Sequence, residues 1–92
     1  MELTPLTMAV WFMDDGSRSR RAVYLNTQQH AREEQERLID MLKEQWELES
    51  SLNRDKTYFR IRISVESTRQ LGRLLRPYML PEFMYKLPPM TP

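Results

Sequence analysis

The chain has 92 residues, a net charge of +1 and no cysteine. This length provides for one domain with a small core, and the lack of cysteine excludes disulfides and cysteine-ligated zinc within the sequence. The longest apolar run, residues 8–13, is too short to cross a membrane. We therefore expect a single domain over residues 1–92 of a soluble, intracellular protein that is cytoplasmic or organellar and not secreted.

The near-neutral total conceals a separation of charges along the chain. Seven of the 13 acidic residues lie between positions 33 and 49, and outside that segment twelve basic residues stand against six acidic ones. Arginine outnumbers lysine eleven to three, and guanidinium groups suit bidentate contacts to phosphate or guanine. This distribution indicates a polyanionic partner, although a GC-rich genome would also enrich arginine.

The first predicted element is an apolar helix. Thr4 is a favourable N-cap, and Pro5 suits the first helical position because its missing N–H costs nothing there. Between positions 6 and 13 only Thr7 is polar. The pattern predicts a helix that is buried on most of its circumference and packed against a second helix.

Two carboxylates and a glycine follow this helix directly. Asp14 and Asp15 lie at the negative end of the helix dipole, where a further negative charge costs from a few tenths to about 1 kcal/mol. An acidic pair in this place indicates that a cation binds there, and carboxylate oxygens are ligands that Mg²⁺ prefers. The alternative is an ordinary helix end that leads through Gly16 into a turn.

Residues 17–21 form a short basic connection to a predicted strand over residues 22–27. Alternation puts Val23, Leu25 and Thr27 on the face that helices cover. The opposite face is left for solvent or a ligand and carries Ala22, Tyr24, Asn26 and Gln28.

A second helix is predicted over residues 31–48. Its apolar stripe consists of Leu38, Ile39, Leu42 and Trp46. The acidic residues elsewhere on this helix form a solvated outer face, and they would keep it away from a polyanion. His30 precedes the helix and is assigned to packing or helix entry.

A hairpin follows, with its turn predicted over residues 52–57 and a strand over residues 58–63. Phe59, Ile61 and Ile63 alternate with Tyr58, Arg60 and Arg62. The strand therefore has one apolar face for helices and one basic face for a polyanion. The alternative is an ordinary half-buried strand with arginines on its exposed side.

The last elements are a third helix over residues 66–76 and a helical turn over residues 81–85. The third helix has Leu71, Leu74 and Leu75 inward and Arg69, Arg73 and Arg76 outward, and Pro77 ends it. Pro88, Pro89 and Pro92 predict an extended tail.

Several of these segments together resemble the LAGLIDADG homing endonuclease family. Residues 8–16, MAVWFMDDG, align with the nine letters of the motif, and residues 25–28, LNTQ, resemble the end of a family strand. Residues 53–56 fall at the family's hairpin, and residues 76–81 with 84–88 resemble its closing segment. The resemblance covers residues 3–89 and is closest to the second half of two-motif members. It implies an α+β half-domain with a curved antiparallel sheet, helices on one face and the motif helix at an assembly interface.

The resemblance also implies a catalytic site. Asp15 falls on the metal-binding aspartate of the motif, with Gly16 beside it, and the implied cofactor is Mg²⁺ or another divalent cation. Lys86 falls on the lysine of the family's Tyr-Lys-Leu-Pro block, where it would assist water activation or stabilise charge. Gln28 is the third implied catalytic residue, at the border of the metal site.

Two further surfaces follow from the resemblance. The sheet and its connections would contact double-stranded DNA through Arg18, Arg20, Arg21, Tyr24, Asn26, Arg54, Lys56, Tyr58, Arg60 and Arg62. Only five residues separate Gly16 from Ala22, so the first hairpin is expected to be short. The interface with a second half, either another copy or a separate chain, would involve Pro5, Leu6, Ala9, Val10, Met13 and Asp14.

The predicted function is that of a site-specific, Mg²⁺-dependent DNA endonuclease acting as one half of a dimeric assembly. The alternative is a non-catalytic DNA- or RNA-binding protein, such as an intron-splicing cofactor (maturase) or an RNA-bound structural subunit, with intron RNA as partner. A third possibility, a purely helical interaction module, is disfavoured by the arginine-faced strand.

Overall fold

A computed structural model describes residues 4–88. The helices are α1 (Pro5–Asp15), α2 (Arg32–Trp46) and α3 (Val65–Leu75), and the strands are β1 (Gly16–Ser19), β2 (Ala22–Leu25), β3 (Ser50–Asp55) and β4 (Tyr58–Ile63). Two 3-10 helices, Arg76–Tyr78 and Pro81–Lys86, complete the described chain. The predicted extended tail lies for the most part outside the described residues. Within residues 4–88, no helix has both the length and the apolarity that a bilayer crossing demands.

The strands form one antiparallel sheet in the order β1-β2-β4-β3. On one side of it Val23 is opposite Ile63, and Leu25 is opposite Ile61. These side chains are fully buried and share a single core with apolar residues of all three helices. We call this side the helix face and the other side the open face. The predicted α+β architecture, with helices on one face of an antiparallel sheet, is confirmed.

The start and end of α1 are set by local signals, as predicted. Thr4 is the N-cap, and its hydroxyl accepts a hydrogen bond from the Thr7 N–H at 3.1 Å. Pro5 occupies the first turn. At the other end the Gly16 N–H donates to the Phe12 carbonyl and closes the helix before the chain becomes extended.

Burial of α1 is less complete than its composition predicts. Met8, Ala9 and Phe12 are fully buried, but Leu6 is 55% exposed and Val10 is 50% exposed. An apolar stripe of α1 is thus left uncovered in this chain. The assignment of Ala9 to an intersubunit interface is wrong, because its methyl group is already enclosed by the chain's own core.

The hairpin turn is much shorter than the sequence predicts. Four of the residues assigned to it, 52–55, are paired in β3, which leaves Lys56 and Thr57 as the connection. Lys56 adopts the left-handed conformation with φ of 60°. Serine, asparagine and aspartate are poor strand formers, but pairing with the strongly patterned β4 overrides that local preference.

Helix α2 ends where Glu47 takes a left-handed conformation, with φ of 56°. Leu42 is fully buried, as predicted, and Gln35 is buried as well. The Thr27 hydroxyl donates to the Gln35 side-chain oxygen at 2.7 Å, and the Gln35 amide donates to the His30 carbonyl at 3.2 Å. This buried polar pair fastens the loop after β2 to α2.

Candidate nucleic-acid interface and acidic helix end

Strand register decides which polar side chains share the open face. Tyr24 is opposite Arg62, Ser51 is also opposite Arg62, and Asn53 is opposite Arg60. These positions alternate with the core residues, so their side chains lie on the side away from the helices. Of the predicted DNA contacts, the structure brings together Tyr24, Tyr58, Arg60 and Arg62 on this face, and Tyr58 is 61% exposed.

Arg18 and Arg54, which the resemblance assigns to DNA contact, do not lie on the open face with the other predicted contacts. Arg18 is opposite Val23, a core residue, and its guanidinium donates to the Leu87 carbonyl at 3.4 Å. Arg54 is opposite Phe59, and its Nε donates to the Lys56 carbonyl at 2.9 Å. Both side chains therefore belong to the helix side of the sheet.

The turn between β1 and β2 carries the next basic residues. Arg20 has a left-handed backbone with φ of 59°, and Arg21 follows it. These two arginines border an open cleft of about 430 Å³. The complete lining is Ser19, Arg20, Arg21, Ala22, Tyr24, Arg62 and Val65. Three guanidinium groups around one cleft produce a positive potential that attracts anionic groups.

Arg60 has a different environment from Arg62. Its guanidinium lies 3.9 Å from the centroid of the Tyr24 ring. Its Nη1 donates to Asn26 Oδ1 at 3.4 Å, and Asn26 Nδ2 donates to Ser17 Oγ at 3.2 Å. The contacts form a polar chain across the open face from β4 to β1.

The acidic end of α1 meets the end of β2. The Asn26 N–H donates to the Asp15 carbonyl at 2.7 Å. Asp14 is exposed, and Asp15 is half-buried. Gly16 is buried where a side chain would collide with Phe12. Residues 4–88 contain no cluster of three acidic, histidine or cysteine side chains that could enclose a metal ion.

Lys86 lies at this same helix end. Its ammonium group donates to the Met13 carbonyl, one of the carbonyls that the end of α1 leaves without a helical partner. A cation in this place complements the helix dipole. Gln28, the third predicted catalytic residue, lies in the loop after β2 and is half-buried.

The segment that carries Lys86 is held by two arginines. Arg18 donates to the Leu87 carbonyl, and Arg76 Nη2 donates to the Pro88 carbonyl at 2.6 Å. Leu87 itself is only 2% exposed. The prediction that Arg76 points outward is wrong, because its Nε is buried and its Nη2 donates to the Pro88 carbonyl.

The uncovered stripe of α1 continues onto the chain after α3. Leu6, Val10 and Asp14 follow one another at four-residue spacing and are all exposed. The Leu80 N–H donates to the Met13 sulfur at 3.4 Å, and the Leu80 side chain is 52% exposed. Of the predicted interface residues, Pro5 and Met13 are half-buried.

Sequence reasoning missed four small polar residues of the open face. They are Ser17, Ser19, Ser51 and Asn53. Ser17, Ser51 and Asn53 are opposite Tyr24, Arg62 and Arg60, and Ser19 is opposite Ala22, which precedes Val23 of the helix face by one position. Extending the alternation of the clear strands to their neighbours would have found them.

Comparison with known proteins supports an endonuclease origin. Residues 2–71 match the LAGLIDADG DNA endonuclease family. The structure superposes on the homing endonuclease I-WcaI bound to its DNA recognition sequence with a TM-score of 0.88 and 31% identity, over 97% of this chain and 42% of that one.

Two fungal relatives have different names. The chain is 30% identical to a probable intron-encoded DNA endonuclease 3 of Mycosarcoma maydis, over 94% of this chain and 65% of the relative. It is 31% identical to the cytochrome b mRNA maturase bI2 of Saccharomyces cerevisiae, over 92% of this chain and 21% of the relative. The chain thus spans less than two thirds of the length of either. The family match and the shared fold establish that this chain belongs to the LAGLIDADG DNA endonuclease family.

Proposed function

We propose that this chain is one half of a site-specific endonuclease that binds double-stranded DNA on the open face and cleaves it beside Asp15. The observation that carries the proposal is the hydrogen bond from the Asn26 N–H to the Asp15 carbonyl. It joins the acidic end of α1 to the edge of the open face, so a duplex lying on that face passes next to Asp15 and Lys86.

Asp15 fits a role as a ligand for Mg²⁺, but other ligands must complete the coordination. Mg²⁺ prefers hard oxygen ligands and completes its octahedron with waters and substrate phosphates. Asp15 supplies one carboxylate, and the remaining ligands would come from DNA, water and a second half. The neighbouring Gly16 has no side chain, so its backbone would come close to the bound ion. When bound, the ion would stabilise negative charge that develops on the phosphate during hydrolysis.

Lys86 has hydrogen-bonding capacity left for the substrate. An ammonium group has three donors, and one of them is engaged by the Met13 carbonyl. No acceptor among residues 4–88 binds the other two, which can donate to a phosphate oxygen or to the attacking water. Since the Leu87 and Pro88 carbonyls are both held by arginines, Lys86 meets its substrate in a fixed position.

The uncovered stripe of α1 is the surface for the second half. Leu6 and Val10 expose about half of their surface area to water. A partner helix packed on this stripe would bury that area. A second copy of this chain would bring two Asp14 carboxylates toward each other at an electrostatic cost. A separate chain with small uncharged residues in that place would avoid this cost, so the proposal includes both a homodimer and a two-chain assembly.

A cleavage assay tests the proposal. The wild-type chain, alone or with a candidate second half, is incubated with Mg²⁺ and DNA flanking its gene. We expect a double-strand break at one site, loss of that break in Asp15→Asn, and retained DNA binding in the variant. Binding without cleavage by the wild type under all these conditions would contradict a catalytic role.

An RNA-binding function is the second candidate, because one relative is a maturase. The same basic open face would then bind an intron RNA, and Asp15 would have no catalytic part. Competition between duplex DNA and the intron transcript separates the candidates. An affinity for the transcript that exceeds the affinity for DNA at equal salt, without Mg²⁺-dependent cleavage, would favour the maturase.

A further inference from the structure

We propose that Ser17 is a DNA contact and that Arg60 is a positioning residue acting through Asn26, not a direct contact. The inference rests on the proposed function, because it concerns how the open face presents itself to DNA beside Asp15. It reverses the simplest expectation for the face, in which the arginine binds and the serine only fills space.

The donors of Arg60 are largely committed within the protein. Its guanidinium is stacked at 3.9 Å on the Tyr24 ring, and Nη1 already donates to Asn26. Its Nε is buried and bonds to no atom of residues 4–88. The fork made by Nε and Nη2, which would grip a phosphate or a guanine, therefore cannot present both donors to a ligand.

The hydrogen bonds between Arg60, Asn26 and Ser17 all run in one direction. A guanidinium group only donates, so the side of Asn26 that faces Arg60 must be its oxygen. The Asn26 amide nitrogen must then face Ser17, whose hydroxyl oxygen accepts. Each member donates to the next, and no acceptor among residues 4–88 binds the hydrogen of the Ser17 hydroxyl, which ends this polar chain.

The Ser17 end of this polar chain presents donors to a ligand. The Ser17 O–H and the second N–H of the Asn26 side-chain amide are both donors, and the charge of Arg60 polarises them in the same direction. These two donors would bind an acceptor, such as a non-bridging phosphate oxygen. The backbone N–H of Asn26 donates to the Asp15 carbonyl, so a phosphate bound by these side chains would be close to the phosphate that is cut.

The test compares salt dependence with affinity. A 30-base-pair duplex of arbitrary sequence is titrated by fluorescence anisotropy from 50 to 300 mM NaCl with wild type, Ser17→Ala, Arg60→Gln and the double variant. Arg62→Gln is the matched comparison, because Arg62 lies on the same strand and face and lines the cleft. Each lost cation–phosphate contact makes the negative slope of log K against log salt shallower by about 0.9.

We expect Ser17→Ala and Arg60→Gln to weaken binding by similar factors of about tenfold each. We expect the double variant to be no weaker than either single one, and the slope to stay within about 0.3 of wild type in all three. Arg62→Gln should make the negative slope shallower by about 0.9. The inference is wrong if Arg60→Gln makes the slope shallower as Arg62→Gln does. It is also wrong if the losses of affinity in Ser17→Ala and Arg60→Gln add in the double variant.

Two controls keep the outcomes separate. Wild type that fails to bind any duplex contradicts the proposed function itself, whereas normal wild-type binding with an unaffected Ser17→Ala contradicts only the inference. Should Arg60→Gln unfold the chain, Arg60→Lys retains the charge but cannot stack as a plane on Tyr24 or hold Asn26 in the same way. It is expected to weaken binding without changing the slope.

Discussion

The two glycines of this chain give opposite predictions for the same substitution. A Cβ atom on Gly16 would lie 2.4 Å from both Cδ1 and the carbonyl oxygen of Phe12, whereas ordinary contact begins at 3.4 Å. The overlap is about 1 Å, one of the two atoms belongs to the backbone, and the Phe12 ring is fully buried. Gly16→Ala must therefore shift the end of α1 against β1, and we expect a loss of about 3 kcal/mol in unfolding free energy, the upper end of what overpacking costs.

Gly72→Ala is the matched control. Its nearest neighbour would be Arg76 Nη2 at 3.7 Å, an ordinary contact, and it lies within α3. Replacing a helical glycine by alanine stabilises by about 0.5–1 kcal/mol. Urea denaturation followed by circular dichroism measures both, and Gly16→Ala should lower the midpoint by about 1–3 M. A Gly16→Ala midpoint within about 0.3 M of wild type would refute the packing argument.

Three other changes probe separate contacts. Thr27→Val leaves the buried Gln35 oxygen without its donor, so urea denaturation should show a loss of about 1–3 kcal/mol; a loss under about 0.5 kcal/mol would contradict this. Val10→Lys should leave unfolding within about 0.5 kcal/mol of wild type yet lower the assembled fraction in sedimentation equilibrium, and unchanged assembly would exclude the α1 stripe. Arg76→Met removes the bond to the Pro88 carbonyl, so amide exchange in the second 3-10 helix should be about tenfold faster, while exposed Arg73→Met should leave it unchanged.

Elements with strong local signals were predictable from the sequence. The cap and the proline fix where α1 begins, and the alternation of residues 58–63 identifies β4 because its apolar and basic residues separate cleanly. Residues 52–55 of strand β3 were assigned to a turn because this segment has little strand preference of its own. Its structure depends on β4, and a partner strand leaves no mark in the local composition.

The same limit explains the errors at the candidate site. Alternation within one strand predicts which residues share a face, but only pairing between strands says which face of the next strand matches it. Arg18 and Arg54 were grouped with the predicted DNA contacts because they are basic and lie in the connection and the turn next to the strands. Their partners, Val23 and Phe59, put them on the helix face.

The placement of the basic residues predicts how strongly salt should affect DNA binding. Of the seven cations assigned to DNA from the sequence, Arg18 and Arg54 lie on the helix face and Arg60 is committed to Asn26. The four that are left are Arg20, Arg21, Lys56 and Arg62. These four and the Lys86 contact to phosphate proposed above make five. At about 0.9 per contacted phosphate, one chain should show a slope of log K against log salt near −4.5, and not the value of about −7.2 that eight contacts would give. A measured slope near about −7 would mean that DNA draws the three committed arginines out of their contacts, and it would contradict the fixed network inferred for Arg60.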